Sequence, residues 1–213
     1  MVKASKLFFT TLLLGAFIFS NNVVAKECYE PSPNLVNLND EYYNLDETIK
    51  LSNEDKDTLN NFFRSATGKW KGTSQHIECR GPDRAPRKIV KNAIVKAKAK
   101  LASRTQLTIN AEKDYTEERV KKSDNFTLLN LKNTYNLAFP GNNSLVLSEK
   151  YRRANNYQAN SKDTKNKTTK IRTSRLSETI YEISSSTNAL TLTRLYYTNG
   201  VYVGEETWFM NAN

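Results

Sequence analysis

The segment Ala189–Met210 reads ALTLTRLYYTNGVYVGEETWFM and decides the fold class of this chain. Leu190, Leu192 and Tyr196 alternate with other residues, which is the period-two pattern of a half-buried strand. Asn199-Gly200 is a dipeptide preferred in two-residue β-hairpins, because both positions tolerate a positive φ. The segment therefore predicts two antiparallel strands joined by a tight turn.

Similar alternation extends upstream through most of the chain. It predicts further strands over residues 70–79, 107–112, 135–139, 145–151 and 174–183. Residues 87–103 fit two periods. As a strand they place Lys96, Lys98 and Lys100 on the outer side, and as a helix they form a basic amphipathic surface. We favour the strand because the surrounding segments are β.

A short helix precedes the first strand. Ser52 and Asp55 approximate a capping box, and Leu59, Phe62 and Phe63 share one helical face. The pattern has no crossover helices between the strands. We therefore predict a mainly β fold, an antiparallel up-and-down β-barrel of about 8–10 strands with a short N-terminal helix. A β-sandwich is the alternative.

Residues 1–25 have the organisation of a secretory signal peptide. Lys3 and Lys6 precede an apolar run from Leu7 to Phe19, and Ala25 ends a small-residue cleavage site. An uncleaved N-terminal anchor is the alternative, although the run is short for a bilayer-spanning helix. We expect a periplasmic or secreted protein, not transmembrane, after cleavage near Ala25.

The remaining chain divides into an arm and one domain. Residues 26–50 contain two prolines and many Asn and Asp residues, which predicts an irregular N-terminal arm. Residues 51–213 form the predicted barrel domain. Within it, residues 155–170 are almost entirely polar, and we predict a mobile loop there.

The chain has two cysteines, Cys28 and Cys79, and one histidine. In an oxidising compartment an even cysteine count favours a disulfide. Two cysteines this far apart with one histidine cannot complete a four-ligand zinc site. We therefore expect a disulfide, no metal site and no cofactor.

The charge is strongly basic, with 32 Lys and Arg against 22 Asp and Glu and a net charge of +10. Such a surplus favours anionic partners such as lipid headgroups or acidic glycans, although a merely solvated surface is the alternative. Alanines rather than aromatics separate the lysines of residues 96–100, which argues against nucleic acid. The predicted basic face consists of Lys96, Lys98, Lys100, Arg152 and Arg153.

The segment Thr67-Gly68-Lys69-Trp70, placed after a short helix and before a β meander, resembles the start of lipocalin-like (calycin) domains. In that family a Gly-x-Trp motif opens the first strand. Its tryptophan closes one end of the barrel, and a basic residue from a late strand packs over it. The resemblance implies that Trp70 and Arg194 close the barrel, and arginine stacks well on tryptophan.

If Trp70 faces inward, Ser74, His76 and Glu78 share its side of the strand. With Tyr135 and Tyr196 they are the candidate ligand-binding residues. Residues two apart on a strand lie about 7 Å apart, too far for a nucleophile and its base, so we expect no catalytic residue and no enzyme.

Two functional hypotheses follow. The first is an exported lipocalin-like protein that binds a small apolar or amphiphilic molecule, such as an anionic lipid, inside the barrel. The second is a non-enzymatic interaction module with a filled barrel, which docks through its basic face on an anionic envelope component or an acidic protein. The sequence does not indicate an oligomeric state.

Overall fold

A computed structural model describes residues 26–46, 49–141, 143–159 and 169–213. Within these ranges the chain forms nine antiparallel strands and a short helix near the N-terminus, which confirms the predicted fold class. The predicted signal peptide, residues 1–25, lies outside the described residues. The helical elements are α1 (Pro33–Leu38), a 3₁₀ helix (Asn39–Tyr43) and α2 (Asn53–Ala66). The strands are β1 (Gly68–Arg80), β2 (Arg87–Ser103), β3 (Gln106–Tyr115), β4 (Val120–Leu128), β5 (Thr134–Gly141), β6 (Ser144–Ala159), β7 (Thr169–Ser185), β8 (Ala189–Thr198) and β9 (Val201–Ala212).

The strands form one curled sheet in the order β4-β3-β2-β1-β9-β8-β7-β6-β5. The first and last strands pair with each other, as they do in a closed meander, from Trp70 opposite Ala212 to Glu78 opposite Gly204. Strands β4 and β5 follow each other in the chain but form the two edges of the sheet. The sheet is therefore a curled half-barrel with its opening between β4 and β5.

The helix α2 packs inside the curl. Ser52 and Asp55 form the predicted capping box, and Leu59, Phe62 and Phe63 are buried in the main core. Trp70 is only 3% exposed, and its indole Nε1 donates a hydrogen bond to the carbonyl oxygen of Ala66, 3.0 Å away. Helix and first strand together fill one end of the half-barrel with apolar side chains.

Local signals predicted β2 and the last hairpin correctly. Residues 87–103 form a strand whose buried and exposed positions alternate, and β2 pairs with β1 from Arg87 to Ala99. Asn199 and Gly200 have φ values of 50° and 82°, the positive values that a two-residue hairpin turn requires.

Two parts of the sheet differ from the prediction, namely β4, which was not predicted, and the ends of β6 and β7. Strand β4 carries the polar run Lys121–Asn125 at the edge of the sheet, where charged residues protect unpaired backbone groups, so its sequence shows no apolar alternation. Strands β6 and β7 extend into the predicted loop, with Asn155 opposite Thr173 and Ala159 opposite Thr169. The prediction of a loop was therefore wrong for residues 155–159 and 169–170, and residues 160–168 lie outside the described ranges.

The N-terminal arm is not irregular as predicted, because it contains α1 and the 3₁₀ helix. It lies on the outer face of the sheet, where backbone hydrogen bonds join Tyr29 to Tyr202 and Ser32 to Gly200. The predicted disulfide is present, with 5.7 Å between the Cα atoms of Cys28 and Cys79. The arm thus covers a second apolar cluster, which contains Cys79, Ile180, Leu195, Tyr197 and Tyr202.

The disulfide is a feature typical of proteins in oxidising compartments. Across the described part of the chain, every helix is too short or too polar to cross a bilayer.

Candidate functional site

A network of four charged side chains crosses the interior of the half-barrel. Lys113 of β3 bonds Asp124 of β4 at 2.8 Å and Glu206 of β9 at 2.9 Å. Arg194 of β8 bonds the same two carboxylates. Two cations and two anions therefore balance, and they connect strands on opposite sides of the curl.

The four side chains of this network remain charged although they are buried. Burial alone would raise the pKa of Glu206 and Asp124, but Arg194 and Lys113 lower the pKa of both carboxyls below the usual range. Burial would likewise lower the pKa of Lys113, yet Glu206 and Asp124 keep it raised. All four groups are therefore ionised at neutral pH.

Arg194 does not pack over Trp70, so the predicted partner was wrong. Its guanidinium carbon lies 5.1 Å from the ring centroid of Trp208 and 4.6 Å from that of Phe126. The register explains the difference, because Arg194 pairs with Glu206, and Glu206 pairs with His76. Trp70 lies six residues further along β1, roughly 20 Å from His76.

The structure places three of the candidate ligand-binding residues on the inner face. Ser74 is buried, and the ring centroid of His76 lies 6.4 Å from that of Tyr196. Burial lowers the pKa of His76, an effect that the carboxylate of Glu206 partly opposes. Glu78 follows on the same side of β1, but its side chain is 39% exposed and bonds Arg80. Glu78 therefore lies at the rim and does not line the interior.

Tyr135 lies elsewhere, and its placement with the interior residues was wrong. Its hydroxyl donates a hydrogen bond to Glu178, a buried carboxylate beneath the N-terminal arm. Tyr42 and Asn34 of the arm bond the same carboxylate at 2.6 and 2.7 Å. Lys150 lies 3.7 Å from the Tyr135 ring centroid. Strand β5 pairs with β6 irregularly next to Tyr135, and this irregularity accompanies the placement of its ring on the outer side.

The outer face of β1 and β2 carries a group of four exposed lysines, here called the lysine quartet: Lys69, Lys71, Lys96 and Lys98. Lys69 pairs directly with Lys98, and Lys71 with Lys96. Like charges in directly opposed positions destabilise a sheet. On its other side Lys96 faces Glu112 of β3, while Lys98 faces Asn110. Among the described residues no carboxylate oxygen lies within 4 Å of the four ammonium groups, so Glu112 relieves the repulsion only in part.

An open groove of about 610 Å³ runs over the lysine quartet. Side chains of β3 and β4 extend it with amides, a hydroxyl and one carboxylate: Asn110, Glu112, Ser123 and Asn125. Lys121 lies 3.9 Å from both Glu112 and Asp114, which places these two acids beside a lysine of their own. Counted together with Lys121, Glu112 and Asp114, the lysine quartet has a surplus of positive charge.

The predicted basic face is only partly assembled. Lys96, Lys98 and Lys100 lie together on β2 and are exposed, but Arg152 and Arg153 lie on β6, with four strands between. Sequence reasoning missed Lys69 and Lys71. Their alternation with an inward Trp70 was a usable signal, but only the strand register shows that they oppose Lys98 and Lys96.

Comparisons with known proteins identify no family. No protein-family profile matches the chain, and no curated protein matches it. A solved structure that is similar in part is a protein of unknown function from the DUF3598 family of Nostoc punctiforme, with 12% sequence identity and a TM-score of 0.32. The similarity covers 70% of this chain and 48% of that protein, so this chain spans about half its length. The curled antiparallel half-barrel fits a calycin-like fold, while membership of the lipocalin family is not shown.

Proposed function

We propose that this chain is an exported, non-enzymatic interaction module that docks through the lysine quartet on an anionic envelope component or an acidic protein. The observation that carries the proposal is the pairing of Lys69 with Lys98 and of Lys71 with Lys96 on an exposed face. Four neighbouring cations outnumber the one carboxylate that faces them, Glu112 opposite Lys96, and the remaining repulsion is what an anionic partner would relieve.

The contents of the half-barrel support a surface function over a carrier function. Helix α2 and Trp70 occupy one end, and the network of Lys113, Asp124, Arg194 and Glu206 crosses the interior. That network is electrically balanced, so it offers little attraction to a charged ligand. The unbalanced charge of this region lies outside, on β1 and β2.

Binding to heparin, a soluble polyanion, tests the proposal. Lys96→Glu combined with Lys98→Glu should make the protein elute from a heparin column at clearly lower salt, because two attractive contacts become repulsive. Wild-type binding should itself weaken steeply as ionic strength rises, since exposed charges are screened over about 8 Å at 0.15 M salt.

Arg152→Glu combined with Arg153→Glu is the matched control, because it changes net charge by the same amount on a distant strand. The control should elute nearly with the wild type. Equal shifts in the two variants would show that only the overall charge matters, and the proposed site would then be wrong.

A second candidate function has its own observation. Ser74 Oγ and Arg194 Nε are buried on the inner side and have no hydrogen-bond partner among the described residues. Buried polar atoms are usually satisfied, so a small amphiphilic ligand with a polar end is the alternative occupant of this place.

Fluorescence tests this second candidate. The chain has two tryptophans, so Trp70→Phe leaves Trp208 as the only indole, beside Arg194. Saturable quenching or a spectral shift with a panel of fatty acids and hydrophobic dyes would favour the carrier. If none of these compounds changes the Trp208 signal, the carrier function is excluded for that panel.

A further inference from the structure

Resting on the proposed function, we infer that the anionic partner of the lysine quartet is a lipid bilayer surface, which this face binds by combining its lysines with exposed apolar side chains. The next row of the same face carries those side chains. Ile94 and Phe209 flank Thr73 on either side, because Thr73 pairs with Ile94 of β2 and with Phe209 of β9.

Both apolar side chains face solvent. Phe209 is 56% exposed and Ile94 is 42% exposed, and Thr73 lies between them in a shallow open groove of about 390 Å³. Single exposed apolar residues are common on protein surfaces. Here, however, an aromatic and a β-branched residue adjoin a group of four lysines. A second small groove contains Lys71, Lys96 and Ile94, together with Lys121 and the acids Glu112 and Asp114.

The lysines lie toward the same end of this face on both strands. On the outward side of β2, Ile94 is followed by Lys96 and Lys98. On the outward side of β1, Thr73 is preceded by Lys71 and Lys69. The face therefore has an apolar row and a cationic end, with the two parts within about 7 Å of each other along the strand.

This arrangement fits a bilayer better than a soluble polyanion. Binding at a membrane interface grows with buried apolar area and with attraction to anionic headgroups, and the two contributions add. A soluble acidic glycan or polyphosphate would use the lysines but would gain little from Ile94. The nearby acids reduce this attraction without cancelling it. Glu112 faces Lys96 and Asp114 faces Ile94, but with Lys121 beside them the face still has five lysines against two carboxylates.

Vesicle co-sedimentation of the whole protein tests the inference. Wild-type protein should bind vesicles of phosphatidylglycerol and phosphatidylcholine but not vesicles of phosphatidylcholine alone. Lys96→Gln combined with Lys98→Gln should weaken binding roughly 30-fold, from the attraction of each lysine to an anionic surface. Phe209→Gln should weaken it roughly 10-fold through lost apolar burial, while heparin binding stays unchanged.

Val36→Gln is the matched control for Phe209→Gln, because Val36 is 64% exposed and lies on the arm. Its vesicle binding should equal that of the wild type. Lysine-dependent binding to heparin without binding to anionic vesicles overturns the bilayer inference and leaves the proposed function standing. Vesicle binding that does not change in Phe209→Gln also overturns the inference. If Lys96→Gln combined with Lys98→Gln leaves binding to both heparin and anionic vesicles unchanged, the proposed function is overturned as well.

Discussion

His76 illustrates how the inside of the half-barrel changes the chemistry of a single residue. Its imidazole is half-buried beside Tyr196, opposite Glu206 in the sheet. Burial lowers its pKa below the ordinary 6.5, and the cations Lys113 and Arg194 act in the same direction, while Glu206 and Glu78 oppose it. The folded protein therefore favours the neutral ring.

This pKa shift predicts a pH-dependent stability. A lowered folded-state pKa means that the unfolded chain binds the proton more readily, so the contribution of His76 is present above pH 6.5 and is lost as pH falls through the folded pKa. We expect urea unfolding to show lower stability at pH 5.5 than at pH 7.5. His76→Gln should flatten this dependence, and proton NMR of the single imidazole should report a pKa below 6.5. An unchanged slope in the variant would assign the effect to other groups.

At the scale of elements, β1 contributes residues to both faces of the sheet. Its inward side carries Trp70, Ser74 and His76, and its outward side carries Lys69 and Lys71. Glycine allows its close approach to β9, because a Cβ at Gly72 would lie only 1.9 Å from the backbone oxygen of Phe209. One strand therefore supplies two of the interior polar residues, the pairing with β9 and half of the lysine quartet.

The end of β1 is also where the disulfide attaches the arm. Cys28→Ser combined with Cys79→Ser should lower the free energy of unfolding by roughly 4 kcal/mol, because the 51-residue separation gives a large loop-closure entropy. Equilibrium urea unfolding measures the loss, and reduced wild-type protein should give the same value. A loss below about 1 kcal/mol would contradict the loop-entropy account of this disulfide.

The elements differ in how far their sequences predict them. Helix α2, strand β2 and the β8–β9 hairpin carry local signals, namely a capping box, an apolar alternation and an Asn-Gly turn, and all three were predicted. Strand β4 was not predicted, because Lys122 and Asp124 occupy two of its inward positions and interrupt the apolar period. The ends of β6 and β7 were predicted as loop because their residues are polar. They form strands because the two segments pair with each other, which the local sequence does not indicate.

At the scale of the whole molecule, two layers of contacts hold the curled sheet. Inside, Arg194 of β8 bonds Asp124 on the edge strand β4, which ties this edge to the opposite side of the curl across the interior. Outside, the arm covers Glu178, which is 1% exposed and accepts hydrogen bonds from Tyr42 and Asn34. The arm is therefore part of the folded domain.

Deleting residues 26–46 tests this role of the arm. Glu178 would lose two of its donors, and Tyr197 and Tyr202 would be uncovered, so we expect a lower unfolding temperature and stronger binding of an apolar dye. The deletion should include Cys79→Ser to avoid a free thiol. The Cys28→Ser, Cys79→Ser protein, which keeps the arm, is the control. Equal stability of the two proteins would show that the arm contributes only its disulfide.

The sequence by itself determined the features that depend on neighbouring residues: the antiparallel β class, the short capped helix, the last hairpin, and the presence of one cysteine pair. These follow from local periodicity, backbone propensity and composition. Only the tertiary structure decided that Arg194 stacks on Trp208, that Tyr135 lies under the arm, and that Lys69 faces Lys98. The reason is physical: strand register, the curl of the sheet and the position of its opening bring together residues far apart in the chain, and a shift of one residue would reverse the face of every side chain on a strand.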